Sequence, residues 1–138
     1  MSKHTVLIID DEKNVLNSLK RLLRKEPYTV VATTDPEEGF RLLERVKVSL
    51  VITDQRMEGF DGDEVIHKVI DKCPGVKCIK LTGYADTTGA VPANGAWRVV
   101  PKPWNDDEIK KTIRQALGIR DEVVAATAIN TSIGQEDM

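Results

Sequence analysis

The chain has 138 residues, 41% of them hydrophobic and 30% charged, with a net charge of −2. That is the size of one domain with room for a real core, and the near-neutral balance excludes a general attraction to nucleic acid or an anionic membrane. No apolar run reaches the length of a bilayer span, and the opening MSKHTVLIID lacks the longer apolar core and cleavage site of a signal peptide, so a cytoplasmic protein is expected.

Val6-Leu7-Ile8-Ile9 is a short continuous apolar run, the pattern of a strand covered on both faces. Val15, Leu16, Leu19, Leu22 and Leu23 follow at helical spacing, stopped by Pro27. Tyr28 to Ala32 reads as a second strand. Asp35-Pro36-Glu37-Glu38 supplies an N-cap, a proline at the first helical position and an acid at the third, and Phe40, Leu43 and Val46 form the buried stripe of that helix. Leu50 to Ile52 is the third strand. Val65, Ile66, Val69 and Ile70 mark a helix that ends before Pro74-Gly75. A weaker strand, Val76 to Leu81, carries Lys77 and Lys80, and Trp97 to Val100 is the fifth strand. Asn105 caps a last helix with Ile109, Ile113 and Leu117 four apart, closed by Gly118.

Strands alternating with helices predict an α/β fold, a parallel sheet with helices on both faces. TGYADTTGAVPANGA, between the fourth and fifth strands, breaks the rhythm with three glycines and a proline, so a fourth helix there is expected to be short or irregular. Residues 1–118 read as one domain, and 119–138 as a C-terminal extension or tail. Cys73 and Cys78, in CPGVKC, read as free thiols; His4 and His67 have no spacing that completes a zinc site with them.

The polar residues that end the apolar strands all fall at one edge. Strand one ends in Asp10-Asp11, strand three in Asp54 and strand four in Thr82, while Lys102 follows strand five in VVPKPW. Taken singly, each is an ordinary turn residue, helix cap or surface lysine. Together they lie where open parallel sheets bind ligands, beyond the carboxyl ends of the strands. Three carboxylates in one place repel unless a cation neutralises them. An oxygen-rich site with few protein ligands suits Mg²⁺, and a hydroxyl and an ammonium opposite it suit phosphoryl oxygens. The chemistry implied is phosphoryl transfer to a carboxylate.

IIDDE, TDQRMEGFDG, KLTGYAD and KPWNDDE, in that order over residues 5 to about 118, resemble the receiver (CheY-like) domain of two-component response regulators. The resemblance implies a flavodoxin-like (βα)5 three-layer sandwich with sheet order 2-1-3-4-5. It implies that Asp54 accepts phosphate from a sensor histidine kinase or phosphotransfer protein, changing the interaction with an effector domain or partner. Asp11, Asp54 and the backbone carbonyl of Arg56 would ligate Mg²⁺, with Asp10 acting through water. Thr82 and Lys102 would contact the phosphoryl oxygens, and Lys102-Pro103 is expected to be cis. Its catalysis would be confined to its own phosphorylation and dephosphorylation, and a homodimer is compatible with the family. LTGYAD and KPWNDDE further resemble receivers coupled to cyclic-dinucleotide phosphodiesterase or hydrogenase-regulator outputs.

Three features depart from the family pattern. Glu58 stands where proline is usual, Val99 occupies the place of the usual switch aromatic, and the segment between Thr82 and Lys102 is short and glycine-rich. Val99 keeps open an alternative, a receiver-fold adaptor or dimerisation module whose phosphorylation is weakly coupled. A Mg²⁺-dependent phosphatase with an aspartyl nucleophile would want two acids two residues apart after strand one. IIDDEKN has adjacent acids instead.

Overall fold

A computed structural model of the chain describes residues 4–83 and 95–119. The stretch expected to form a short or irregular fourth helix, 84–94, and the tail beyond residue 119 lie outside the described residues. In chain order the elements are β1 (Thr5–Ile9), α1 (Lys13–Leu22), β2 (Thr29–Thr33), α2 (Pro36–Arg45), β3 (Leu50–Asp54), β4 (Arg56–Met57), β5 (Phe60–Asp61), α3 (Gly62–Lys72), β6 (Lys77–Thr82), β7 (Arg98–Pro101) and α4 (Asp106–Leu117).

Five strands form a parallel sheet in the order β2-β1-β3-β6-β7. This is the expected 2-1-3-4-5 order, because β4 and β5 pair only with each other as a small antiparallel hairpin. The hairpin was not foreseen. Its strands are two residues long, too short for any periodicity, and its turn rests on Gly59 at φ 85°.

The continuous apolar runs are explained by burial on both faces. Val6, Ile8 and Ile52 pack with Leu16 and Leu19 of α1 and with Ile109 and Ile113 of α4. Leu7, Ile9 and Val51 pack on the other side with Phe40 and Leu43 of α2 and with Val65 and Ile66 of α3. Each such side chain, fully buried, contributes about 1.5–3 kcal/mol. The result is the three-layer sandwich.

The caps hold the helix starts where the sequence places them. Asp35 accepts from the Glu37 N–H at 3.0 Å, with Pro36 opening α2. Asp61 and Glu64 form a reciprocal capping box on α3, 2.9 Å in each direction. Asn105 accepts from the Glu108 N–H at 3.0 Å, and Gly118 ends α4 at φ 73°. Each cap is worth about 1 kcal/mol.

Three expectations need correction. Val46 is not part of the buried stripe: α2 ends at Arg45, and Val46 is extended (φ −125°, ψ 139°) and 39% exposed. The helical phase that would have turned it inward stops one residue earlier. α1 stops at Leu22, well before Pro27, and a turn closed by Glu26 N–H to the Leu23 carbonyl (3.0 Å) leads into the buried Tyr28. β3 runs two residues beyond Ile52, so that Asp54 is its last residue and is itself buried.

Candidate functional site

The carboxyl ends of β1, β3 and β6 and the start of the chain after β7 meet at one edge, and the predicted polar residues lie there. Asp10 follows β1 and is completely buried. Its backbone N–H reaches the Thr33 carbonyl at 3.2 Å, and its Oδ1 accepts from the Glu12 N–H at 2.9 Å. Asp10 therefore shapes the turn into α1, while Glu12 is the N-cap residue and makes no side-chain cap. Asp11, next along, is exposed, and its Oδ2 accepts from the Glu58 N–H at 3.1 Å. A proline at 58, usual in the family that the sequence resembles, has no N–H to give. The departure at Glu58 thus supplies a donor that orients Asp11. A backbone group leaves no sequence signal, and sequence reasoning missed it.

Asp54 ends β3, 7% exposed. The chain beyond it is fixed from two sides. Gln55 N–H donates to the Leu81 carbonyl at 2.8 Å, and Gly62 N–H donates to the Gln55 carbonyl at 2.7 Å. A Cβ on Gly62 would stand 2.6 Å from the Asp54 carbonyl oxygen, so only glycine allows α3 to begin this close to β3. Arg56, two residues past Asp54, opens β4.

One ligand oxygen each from Asp10, Asp11 and Asp54 can be chosen so that all lie within 4.8 Å of one another. Such a set of hard oxygen donors, part buried and part open, fits a small divalent cation such as Mg²⁺, which retains several waters.

Lys102 faces the cluster. Its Nζ lies 2.8 Å from Asp54 Oδ1, 3.4 Å from Asp10 Oδ2 and 4.0 Å from Glu12 Oε1. Its backbone N–H is held by the Thr82 carbonyl at 2.8 Å, and the Lys102–Pro103 peptide is cis. Burial pulls the Lys102 pKa down, but the hydrogen bond to Asp54 and the charges of Asp10 and Asp54 outweigh it, and the net displacement is upward. Asp10 is also displaced upward: burial dominates and Asp54 adds repulsion, against the opposing Glu12 N–H and Lys102. The two shifts describe one situation. Negative charge is crowded here, and one ammonium does not balance it.

Thr82 is buried at the end of β6, and its hydroxyl donates to the neighbouring Gly83 carbonyl at 2.8 Å. Val99, on β7, is half-buried. A cavity of about 640 Å³ lies at the opposite end of the strands, against His4, Val48, Ser49 and Val76, and none of the three carboxylates lines it.

Comparison with known proteins agrees with this architecture. Over 116 residues the chain is 34% identical to the hydrogenase transcriptional regulatory protein HoxA of Cupriavidus necator, covering 82% of this chain and 24% of that protein. It is 35% identical over 114 residues to the transcriptional regulatory protein GlrR of Escherichia coli K12, covering 81% of this chain and 26% of that one. The chain thus spans about a quarter of the length of these relatives. The crystal structure of the signal receiver domain of an HD domain-containing protein from Pseudomonas fluorescens Pf-5 superposes with a TM-score of 0.77 at 29% identity, covering 86% of this chain and 89% of that one. The response regulator receiver domain model matches residues 6–114, and the chain belongs to that family.

Proposed function

We propose that the protein is a phosphoryl acceptor in a phosphorelay, with Asp54 as the acceptor and a sensor histidine kinase or phosphotransfer protein as the donor. The observation that carries this reading is the Lys102 ammonium 2.8 Å from a buried carboxylate that also belongs to a three-acid cluster. In the transfer, an Asp54 oxygen forms a bond to phosphorus, the bond from phosphorus to the donor histidine nitrogen breaks, and its electron pair stays on the imidazole. Lys102, freed from the carboxylate charge, is placed to pair with the phosphoryl oxygens. Thr82, at the end of the adjoining strand, exchanges its Gly83 contact for one of those oxygens. Asp10, Asp11, Asp54 and the Arg56 carbonyl would hold Mg²⁺, which supplies positive charge against the phosphoryl oxygens and the crowded carboxylates. Catalysis is confined to this transfer and to hydrolysis of the product.

The effector is a further part of the proposal. The names of HoxA and GlrR point to transcriptional regulation, and that of the Pseudomonas neighbour to an HD domain. In either case phosphorylation changes how the receiver contacts that effector. Val99 favours a second reading, an adaptor or dimerisation module whose phosphorylation is weakly coupled to output, because a half-buried β-branched residue has few rotamers to switch between. Incubation with Mg²⁺ and acetyl phosphate, followed by intact mass, tests acceptance. A gain of one phosphoryl group, lost in Asp54→Asn, is expected; label retained in Asp54→Asn would overturn the assignment. Phosphorylation without any change in partner or effector affinity would favour the adaptor reading.

A further inference from the structure

Lys80 is out of place in β6. Its neighbours Cys78, Ile79, Leu81 and Thr82 are buried, yet this position carries a lysine whose side chain is only 13% exposed. Its Nζ meets Asp63 Oδ1 at 2.9 Å, and the Asp63 side chain is 29% exposed. Asp63 stands in the first turn of α3, where negative charge is favourable.

The positions of the two partners matter more than their charge. Lys80 and Thr82 are two residues apart on one strand, so they share a face of the sheet. Asp63 follows Gly62, the residue pressed against the Asp54 carbonyl. In the sheet, Thr53 is opposite Lys80 and Asp54 opposite Leu81. The ion pair therefore closes a ring from Asp54 through its loop to α3, across to Lys80, and along β6 to Thr82. Stability alone gives little reason for it, since apolar side chains of similar size serve a half-buried position as well or better. An ion pair adds direction: it fixes where α3 stands relative to the strand.

We propose that Lys80 and Asp63 are a positioning pair for the phosphoryl site, holding the Thr82 end of β6 in a set relation to Asp54. The proposal rests on Asp54 being the acceptor. Neither residue touches the reacting atoms; both act through Thr82 and the loop after Asp54.

The test compares the wild type with the apolar double variant Asp63→Leu/Lys80→Met, the isosteric Asp63→Asn and the charge-retaining Lys80→Arg. Each is loaded with acetyl phosphate over a Mg²⁺ series, and labelling rate, aspartyl-phosphate lifetime and Tm are recorded. The double variant is expected to keep its Tm and its half-saturating Mg²⁺, because the acidic cluster is untouched, while its labelling rate at saturating Mg²⁺ falls at least about fivefold. Asp63→Asn moves the same way, and decides the matter if the double variant does not fold. Lys80→Arg stays within about twofold of wild type. Unchanged rates in folded Asp63→Asn and double variants, beside a wild type that labels, would overturn the positioning role alone. A wild type that takes up no phosphoryl group would overturn the acceptor reading and this one with it.

Discussion

Lys102→Ala removes the ammonium that lies 2.8 Å from Asp54 and 3.4 Å from Asp10. At an effective dielectric constant of about 20, those separations correspond to gross attractions of roughly 6 and 5 kcal/mol. Much of that is cancelled by the cost of taking the charges out of water. The balance is set by burial: the Lys102 side chain is 23% exposed, that of Asp54 10%, and that of Asp10 is not exposed at all. A surface pair is worth about 1 kcal/mol or less, whereas leaving a buried charge without its partner costs about 3–5 kcal/mol. The open side of Lys102 places this site between them, at about 2–4 kcal/mol. For a domain of this size that is a fall in Tm of roughly 8–16 °C. The assay is thermal denaturation at pH 7, with EDTA and with saturating Mg²⁺. Lys102 is fully charged at that pH: its pKa is raised, and the stability it adds persists until pH climbs through that higher value. Because a bound cation relieves the same crowding, the loss should shrink in Mg²⁺. A fall below about 3 °C in EDTA, or an equal loss in both conditions, would refute the claim that Lys102 offsets buried negative charge.

Asp10 carries a pH signature of the same sign at much lower pH, but there the charged form is the one that burial penalises. Its pKa is raised from 3.8 chiefly by burial, so above that value the folded state binds more protons than the unfolded one, and stability falls as pH rises through the raised pKa. Without Mg²⁺, the Tm advantage of Asp10→Asn over wild type should therefore grow from about pH 4 toward neutrality; a flat or shrinking difference would show that burial does not dominate. Gly62→Ala places a Cβ 2.6 Å from the Asp54 carbonyl oxygen, and a loss of about 1–3 kcal/mol in chemical denaturation is expected, together with slower labelling of Asp54. Cys78 is buried and its thiol pKa is pushed up to about 12 by burial, so iodoacetamide at pH 8 should modify half-buried Cys73 and spare Cys78 in the folded protein; equal labelling by peptide mass would contradict the packing of β6.

The acids and the lysine at the sheet edge are readable from sequence because each interrupts an apolar run at its carboxyl end. That pattern follows from local chemistry: a doubly covered strand has no apolar reason to end on Asp54 or Thr82. What escapes such reading depends on contacts between distant segments or on backbone groups. Val46 fits the helical period of α2 and yet lies outside the helix, because the period does not say where the last hydrogen bond falls. The Glu58 N–H belongs to every residue but proline, and its value to Asp11 comes from the hairpin that brings it 3.1 Å away.

Lys80 and Asp63 show the limit most directly. Seventeen positions separate them, and alone each reads as a solvated charge: Lys80 as an interruption in a weak strand, Asp63 as an acid in a first helical turn. Their pairing follows once two facts about the fold are combined. β6 lies directly against β3, so the helix joining them must cross from one strand to the next on the same face. Gly62 fixes the start of that helix against Asp54, so the side chain after it is carried toward the neighbouring strand. An acid at 63 then meets whatever β6 presents beside Thr53, and that residue is Lys80. The charge on β6 that made the strand look weak is therefore matched to the topology, and it sits two residues from the hydroxyl that the proposed chemistry uses.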